Sequence, residues 1–408
     1  MNFLLVTPVG DIEPFLALGA ALRAAGHRAT LLAAPRHQTT AAQAQLAFAP
    51  LASAGDGKTG HEVSAQIPAT AGEAEQLEIF YQSLVPVFGD LLDAVIARLP
   101  AHDTLVYSQL FPFLKNAARK AGRKSAALVF CPNKVPFANL GPADTPEPPA
   151  QAPNFFRRRQ IAVAWWNAQS QLDAVVNRHA GEALRARQLG RFRGFLRDPG
   201  DRALIAVSPA LFPPPGMLPE KYAGTGFLRW DAPVTEQTAA LARVVAVERT
   251  GQPLPVLALN LAKEDFVRLL AAWPRGSPLV VLTDDANFAD APPRPEVICV
   301  GGVPRELLFS LAAVVIHDGD SAITAAALHA GRPQIIIPQL VDQLYWARTC
   351  KKLGVAKILP RAGWPEALPA ALAEVLRDAT LPRRAVECAT LIRAENGAAQ
   401  AVRELEKL

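Results

Sequence analysis

A chain of 408 residues is long for one domain and comfortable for two. Half of its residues are hydrophobic and 19% are charged, which gives sizeable cores and excludes wholesale disorder. The net charge of +5 is unevenly placed: nine arginines against Asp173 and Glu182 give residues 154–197 a balance of +7, and the remainder carries −2. No stretch reaches the ~18 uninterrupted apolar residues of a membrane span. Met1-Asn2-Phe3 has no basic leader, so no signal peptide is expected either. Cys131, Cys299, Cys350 and Cys388 are too widely spaced for a zinc site or a disulfide framework, which points to a reduced, cytoplasmic setting.

In chain order, Phe3–Val6 reads as an apolar strand and Pro8-Val9-Gly10-Asp11 as a turn. Pro14–Ala25 follows as an amphipathic helix ended by Gly26-His27, and Ala29–Ala33 as a second strand. This is a βαβ unit with Gly10-Asp11 in the loop between strand and helix. Standing just before a Pro-containing first turn, Asp11 suits an N-cap. The alternation continues with Thr104–Tyr107 (strand), Leu114–Ala121 (helix) and Ala126–Phe130 (strand), then a Pro-rich loop over 132–153.

The basic segment 154–197 also holds Phe155, Phe156, Trp165, Trp166, Phe192 and Phe195. Two readings stand: a solvated basic helix with core aromatics, or a docking surface for a lipophilic acceptor or an anionic membrane face. Nothing resembles a nucleic-acid module, so no nucleic-acid partner is expected. Ala203–Val207 is one more buried strand. Pro213-Pro214-Pro215-Gly216 and Gly224-Thr225-Gly226 then break both periodicities, as an interdomain connection does.

The second half repeats the grammar with Pro255–Leu259 (strand), Glu264–Trp273 (helix), Leu279–Leu282 (strand) and Val297–Val300 (strand). The run Leu311–Ile316 reads as a buried strand that stops at His317, and a small-residue helix, Ala322–Ala330, ends at Gly331 and Pro333. Gln334–Ile337 forms a β-branched strand, Pro338 opens a loop carrying Asp342 and Gln343, and a final helix is expected over 385–408. A strand, a polar turn and a helix N-terminus make an anion site, because unpaired N–H groups and the helix dipole point at it. In an open parallel sheet, that place lies at the carboxyl ends of the strands.

The order of residues 315–348 resembles the nucleotide-sugar site of inverting GT-B glycosyltransferases of family 1. Among these, bacterial glycolipid rhamnosyltransferases and antibiotic or sterol glycosyltransferases look most similar. The fold implied is α/β, two Rossmann-like domains facing a cleft. The expected division is an acceptor-binding domain over 1–225, a nucleotide-sugar-binding domain over 226–385, and a C-terminal helix over 386–408 that crosses back to the first. The family's His-x-Gly turn falls on His317 and Gly319, and its acidic-Gln pair on Asp342 and Gln343. Gly10-Asp11-Ile12-Glu13-Pro14 resembles its opening motif, whose acidic residue is or supports the general base. With residues 315–348 present, the base is the preferred role of Asp11, and it is compatible with capping.

Three positions depart from the family pattern. Asp320 stands where a second Gly is usual, and as an N-cap it would favour the helix by roughly 1 kcal/mol. Leu259-Asn260-Leu261-Ala262-Lys263 lacks the usual Gly-Ser turn, leaving Lys263 either to supply a positive charge or to be a surface lysine. No stacking aromatic precedes Val303-Pro304.

The resemblance implies a hexosyltransferase that moves a sugar from a UDP- or dTDP-linked donor to a hydroxyl of a lipophilic or natural-product acceptor. The alternative is a degenerate, auxiliary relative. Asp11 would take the acceptor proton. His317, Gly319, Asp320, Ser321, Ala322, Val303 and Lys263 would meet the donor, with Asp342 and Gln343 holding sugar hydroxyls. Gly10, Ser108 and Phe111 would meet the acceptor. No metal and no cofactor beyond the co-substrate are implied, and the expected place is the cytoplasm, with an inner-membrane face as a peripheral partner.

Overall fold

The computed structural model describes residues 1–10, 12–54, 67–68, 71–136, 154–211, 218–230, 239–259, 262–283 and 294–408. The chain divides into two compact units, Met1–Trp230 with Glu395–Leu408, and Asp231–Ala394. Each is built on one parallel sheet.

The first sheet holds β1 (Asn2–Thr7), β2 (Arg28–Ala33), β3 (Ala47–Pro50), β4 (Thr104–Ser108), β5 (Lys124–Val129), β6 (Arg202–Ile205) and β7 (Tyr222–Gly224), in the order β3-β2-β1-β4-β5-β6-β7. The second holds β8 (Pro255–Ala258), β9 (Leu279–Leu282), β10 (Val297–Val300), β11 (Val314–His317), β12 (Gln334–Ile336) and β13 (Ala356–Ile358), in the order β10-β9-β8-β11-β12-β13. Strands covered on both faces read as near-continuous apolar runs, which is why β1, β5 and β8 were legible from composition.

Two apolar clusters sandwich each sheet. In the first unit, Leu4, Val6 and Tyr107 face the helices Glu73–Arg98 and Asn154–His179, while Phe3, Leu5 and Val106 face Glu13–Ala24 and the last helix. In the second, Leu257, Val281 and Ile316 face one way and Val256, Val280 and Val315 the other. Among the described residues, Glu73–Ala101 is long and apolar enough on composition to cross a membrane, although its apolar residues are interrupted by charged and polar ones. Here it is a core helix, burying Leu77, Tyr81, Leu84, Phe88 and Leu91.

The expected final helix over 385–408 is two helices, Thr380–Arg393 and Gly397–Leu405. The chain rejoins the first unit at Glu395. Gly397 lies against backbone there: a Cβ would come within 2.4 Å of the Phe227 carbonyl oxygen, which forces glycine. The helix is then held by Ala401, Val402 and Leu405 in the core and by the buried Glu404 carboxylate paired with Arg202.

Candidate functional site

Both sheets reverse their strand order once, and several of the sequence-predicted residues lie at those points. In the second unit the chain runs outward from β8 through β9 and β10, then returns to place β11 on the other side of β8. His317 ends β11 in register with Ala258 at the end of β8. Ligands of open α/β sheets bind at such a switch point, outside the carboxyl ends. In the first unit, β1 and β4 flank the corresponding point, which brings Gly10 and Ser108 to one end of the sheet. Asp11 and the Asn260-Leu261 turn lie outside the described residues.

The turn after β11 is closely bonded. Gly319 takes φ +94°, where a Cβ would fall 2.8 Å from the Gln343 carbonyl oxygen and 3.1 Å from Ile336 Cγ2. Its N–H donates to His317 Nδ1 at 3.1 Å, which makes that nitrogen an acceptor. The ring proton therefore sits on Nε2 and is donated to Gln334 Oε1 at 2.9 Å. Gln334, missed in the sequence, was signalled by an amide opening the buried run Gln334-Ile335-Ile336-Ile337. His317 is 0% exposed, and burial lowers its pKa to about 4, so it is neutral at pH 7. With both nitrogens engaged and the ring enclosed, His317 shapes the turn and offers no free nitrogen to a phosphate.

The carboxylates complete the network. Asp320 caps the helix Ser321–Ala330, its Oδ1 accepting from Ala322 N–H at 2.9 Å and Ile323 N–H at 3.2 Å. Asp318 Oδ1 accepts from Asp320 N–H at 2.9 Å. Its other oxygen accepts from Gln343 Nε2 at 3.0 Å. Gln343 Oε1 reaches back to the N–H groups of Gln339 (2.8 Å) and Leu340 (3.0 Å), half of a capping box for the helix Val341–Leu353. Gln343 is buried, and Asp342, half-buried beside it, accepts from Gln343 N–H at 3.0 Å. Desolvation, then the charge of Asp320, raises the Asp318 carboxyl to about 7.

Elsewhere the placements are mixed. Lys263 is exposed at the start of its helix (Lys263–Ala272) and Ser321 is half-buried at the start of Ser321–Ala330. The Val303 side chain is packed in the core with Val300 and Leu308, so only its backbone could serve a ligand. Phe111, expected at the acceptor, is fully enclosed among Phe80, Phe113 and Tyr81. Ser108 is buried and accepts from Leu110 N–H at 3.3 Å, whereas Gly10 is exposed.

In the basic segment, Trp165 and Phe192 are core, Phe195 is half-buried, and Phe156 and Trp166 are exposed at 59% and 60%. The Phe155 side chain lies outside the described residues. Part of the charge is internally paired, Arg178 with Glu78 at 2.6 Å and Arg187 with Asp93 at 2.5 Å.

Residues 276–408 match the family model described as "Erythromycin biosynthesis protein CIII-like, C-terminal domain". Glycosyltransferase GtfE of Amycolatopsis orientalis is 26% identical, over 96% of this chain and 93% of that protein. O-mycaminosyltylonolide 6-deoxyallosyltransferase of Streptomyces fradiae is 25% identical, over 95% and 92%. The Streptomyces sp. SF2575 glycosyltransferase SsfS6, solved with thymidine diphosphate, shares the fold at a TM-score of 0.67 and 17% identity, over 100% of both chains. The chain is similar over nearly its whole length to curated glycosyltransferases and has the fold of a solved one. The turn after β11 falls within the part of the chain that the family model matches, and Asp320 supplies its helix cap.

Proposed function

We propose that this glycosyltransferase moves a sugar from a UDP- or dTDP-linked donor to a hydroxyl of a lipophilic or natural-product acceptor, in the cytoplasm and with inversion at the anomeric carbon. The observation that carries the reading is the placement of His317–Ile323: a glycine-dependent turn at the switch point of the second sheet, leading into a helix N-terminus. SsfS6, solved with thymidine diphosphate, and the relative named O-mycaminosyltylonolide 6-deoxyallosyltransferase support the donor and acceptor classes.

In this reading the donor lies against the second unit, with Ser321 and the backbone of Val303 and Gly319–Ala322 toward the nucleotide, and Asp342 toward the sugar. His317 and Gln343 hold the turn in shape. Asp11, next to exposed Gly10, takes the acceptor proton as general base. Attack by the acceptor oxygen breaks the anomeric C–O bond, and nucleoside diphosphate leaves. The test is release of UDP or dTDP from a donor panel with a hydroxylated lipophilic acceptor, and the anomeric configuration of the glycoside. Release without a glycoside, or a retained configuration, would count against it.

We also infer an anionic membrane surface as a partner of the basic segment, resting on exposed Trp166 on the same helix as exposed Arg158 and Arg159. Sedimentation with anionic liposomes at low salt, lost on Arg157→Gln, Arg158→Gln and Arg159→Gln together, tests it. One observation favours a second reading: the Asp320 carboxylate already fills the helix N-terminus. A relative that had given up donor turnover and served as an auxiliary protein would release no nucleoside diphosphate from any donor.

A further inference from the structure

The donor turn is satisfied from within. Of the four backbone N–H groups of Gly319–Ala322 expected to face a phosphate, three are bonded inside the turn: Gly319 to His317 Nδ1, Asp320 to Asp318 Oδ1 and Ala322 to Asp320 Oδ1. Ile323 N–H is also taken by Asp320. The helix N-terminus attracts negative charge, and here the chain supplies that charge itself. The Asp320 backbone N–H is in turn held by Asp318, which is tied to Gln343 across the turn, and the Asp320 carboxylate is fixed by the N–H groups of Ala322 and Ile323.

We propose that Asp320 is an internal anion occupying the diphosphate position of the donor turn, so that a donor gains the site only when that carboxylate is displaced or neutralised. The proposal rests on the donor-site reading above and deepens it: Asp320 sets the affinity for the diphosphate part of the ligand and leaves the nucleoside part alone. Two effects act together. The carboxylate competes for the same N–H groups, and its charge repels the diphosphate through a partly solvated medium. Asp318 and Asp342 are further acidic groups nearby, which is why the test changes Asp320 alone.

Asp320→Asn and Asp320→Ser both keep a side chain able to cap the helix, so the fold is retained while the charge is lost. Calorimetric titration of UDP and dTDP into the wild type and both variants should show affinity rising by about tenfold or more in the variants, a difference of about 1.4 kcal/mol. Uridine and thymidine, without phosphates, should bind all three proteins equally. The gain should shrink with added salt. Equal or weaker diphosphate binding by the variants overturns the internal-anion proposal and leaves the donor site standing. Binding by none of the three proteins overturns the donor site itself.

Discussion

Gln343 Nε2 donates to Asp318 Oδ2 at 3.0 Å, which ties the loop after β12 to the turn after β11. The resemblance put Gln343 on a sugar hydroxyl and gave Asp318 no partner. Together they form a brace: Gln343 closes its own helix start with one end of its amide and pins a buried carboxylate with the other. Where the Asp318 carboxyl is ionised, hydrogen bonds to it contribute roughly 1.5–3 kcal/mol, about twice an ordinary one.

The brace gives a pH signature. The Asp318 carboxyl is raised to about 7 from an ordinary value of 3.8, so between those limits the folded state holds a proton that the unfolded chain releases. Stability then falls as pH rises, by up to about 1.4 kcal/mol per pH unit. His317, lowered from 6.5 to about 4, does the opposite between 4 and 6.5, so the two nearly cancel there. Asp318→Asn removes only the falling contribution. Urea unfolding across pH 4.5–7 should show the variant gaining steadily on the wild type as pH rises. Parallel pH curves would contradict it.

Gly319→Ala should be costly whatever the activity. The residue sits at φ +94° with the Gln343 carbonyl oxygen 2.8 Å from any added Cβ. Strain in that region and the clash together predict a loss of about 2–4 kcal/mol, read from the urea midpoint. A loss under ~0.5 kcal/mol would show that the turn rearranges readily.

How much of this was legible in the sequence depends on the range of the contacts. Leu279–Leu282 and Val297–Val300 were read with their observed bounds because short apolar runs there are flanked by proline and glycine. The run Leu311–Ile316 was read as one strand, yet Leu311 ends the helix Arg305–Leu311 and β11 starts at Val314. An apolar run alone does not separate the end of a buried helix from a strand. β3, β7 and β13 escaped because edge strands of three or four residues carry too little pattern. The helix Val341–Leu353 begins within the segment read as a loop, since its start is set by Gln343 and not by a Ser, Thr or Asp cap.

The site divides in the same way. His317, Gly319 and Asp320 follow one another at a strand end, so their neighbourhood was readable, as was capping by Asp320. The pairing of His317 with Gln334 depends on the register of β11 against β12, and that of Asp318 with Gln343 on a loop returning over it. Neither is a local property of the chain.

The general-base role proposed for Asp11 carries a kinetic prediction. Asp11→Asn should leave nucleoside diphosphate affinity nearly intact and lower turnover by about 10²-fold or more. The helix Glu13–Ala24 has Ile12 at its N-cap, with no cap bond from that side chain. A variant that melts at a lower temperature but turns over within a few-fold of the wild type would make Asp11 a capping residue.

The central claim is that the donor binds at the switch point of the second sheet. Amide hydrogen exchange with and without saturating dTDP or UDP reads it without knowledge of the sugar or the acceptor. Added protection should concentrate in 301–303, 317–323 and 339–343, with the strands of the first sheet unchanged. Protection confined to residues 1–230, or none in the second unit at concentrations where binding is measured, would contradict it.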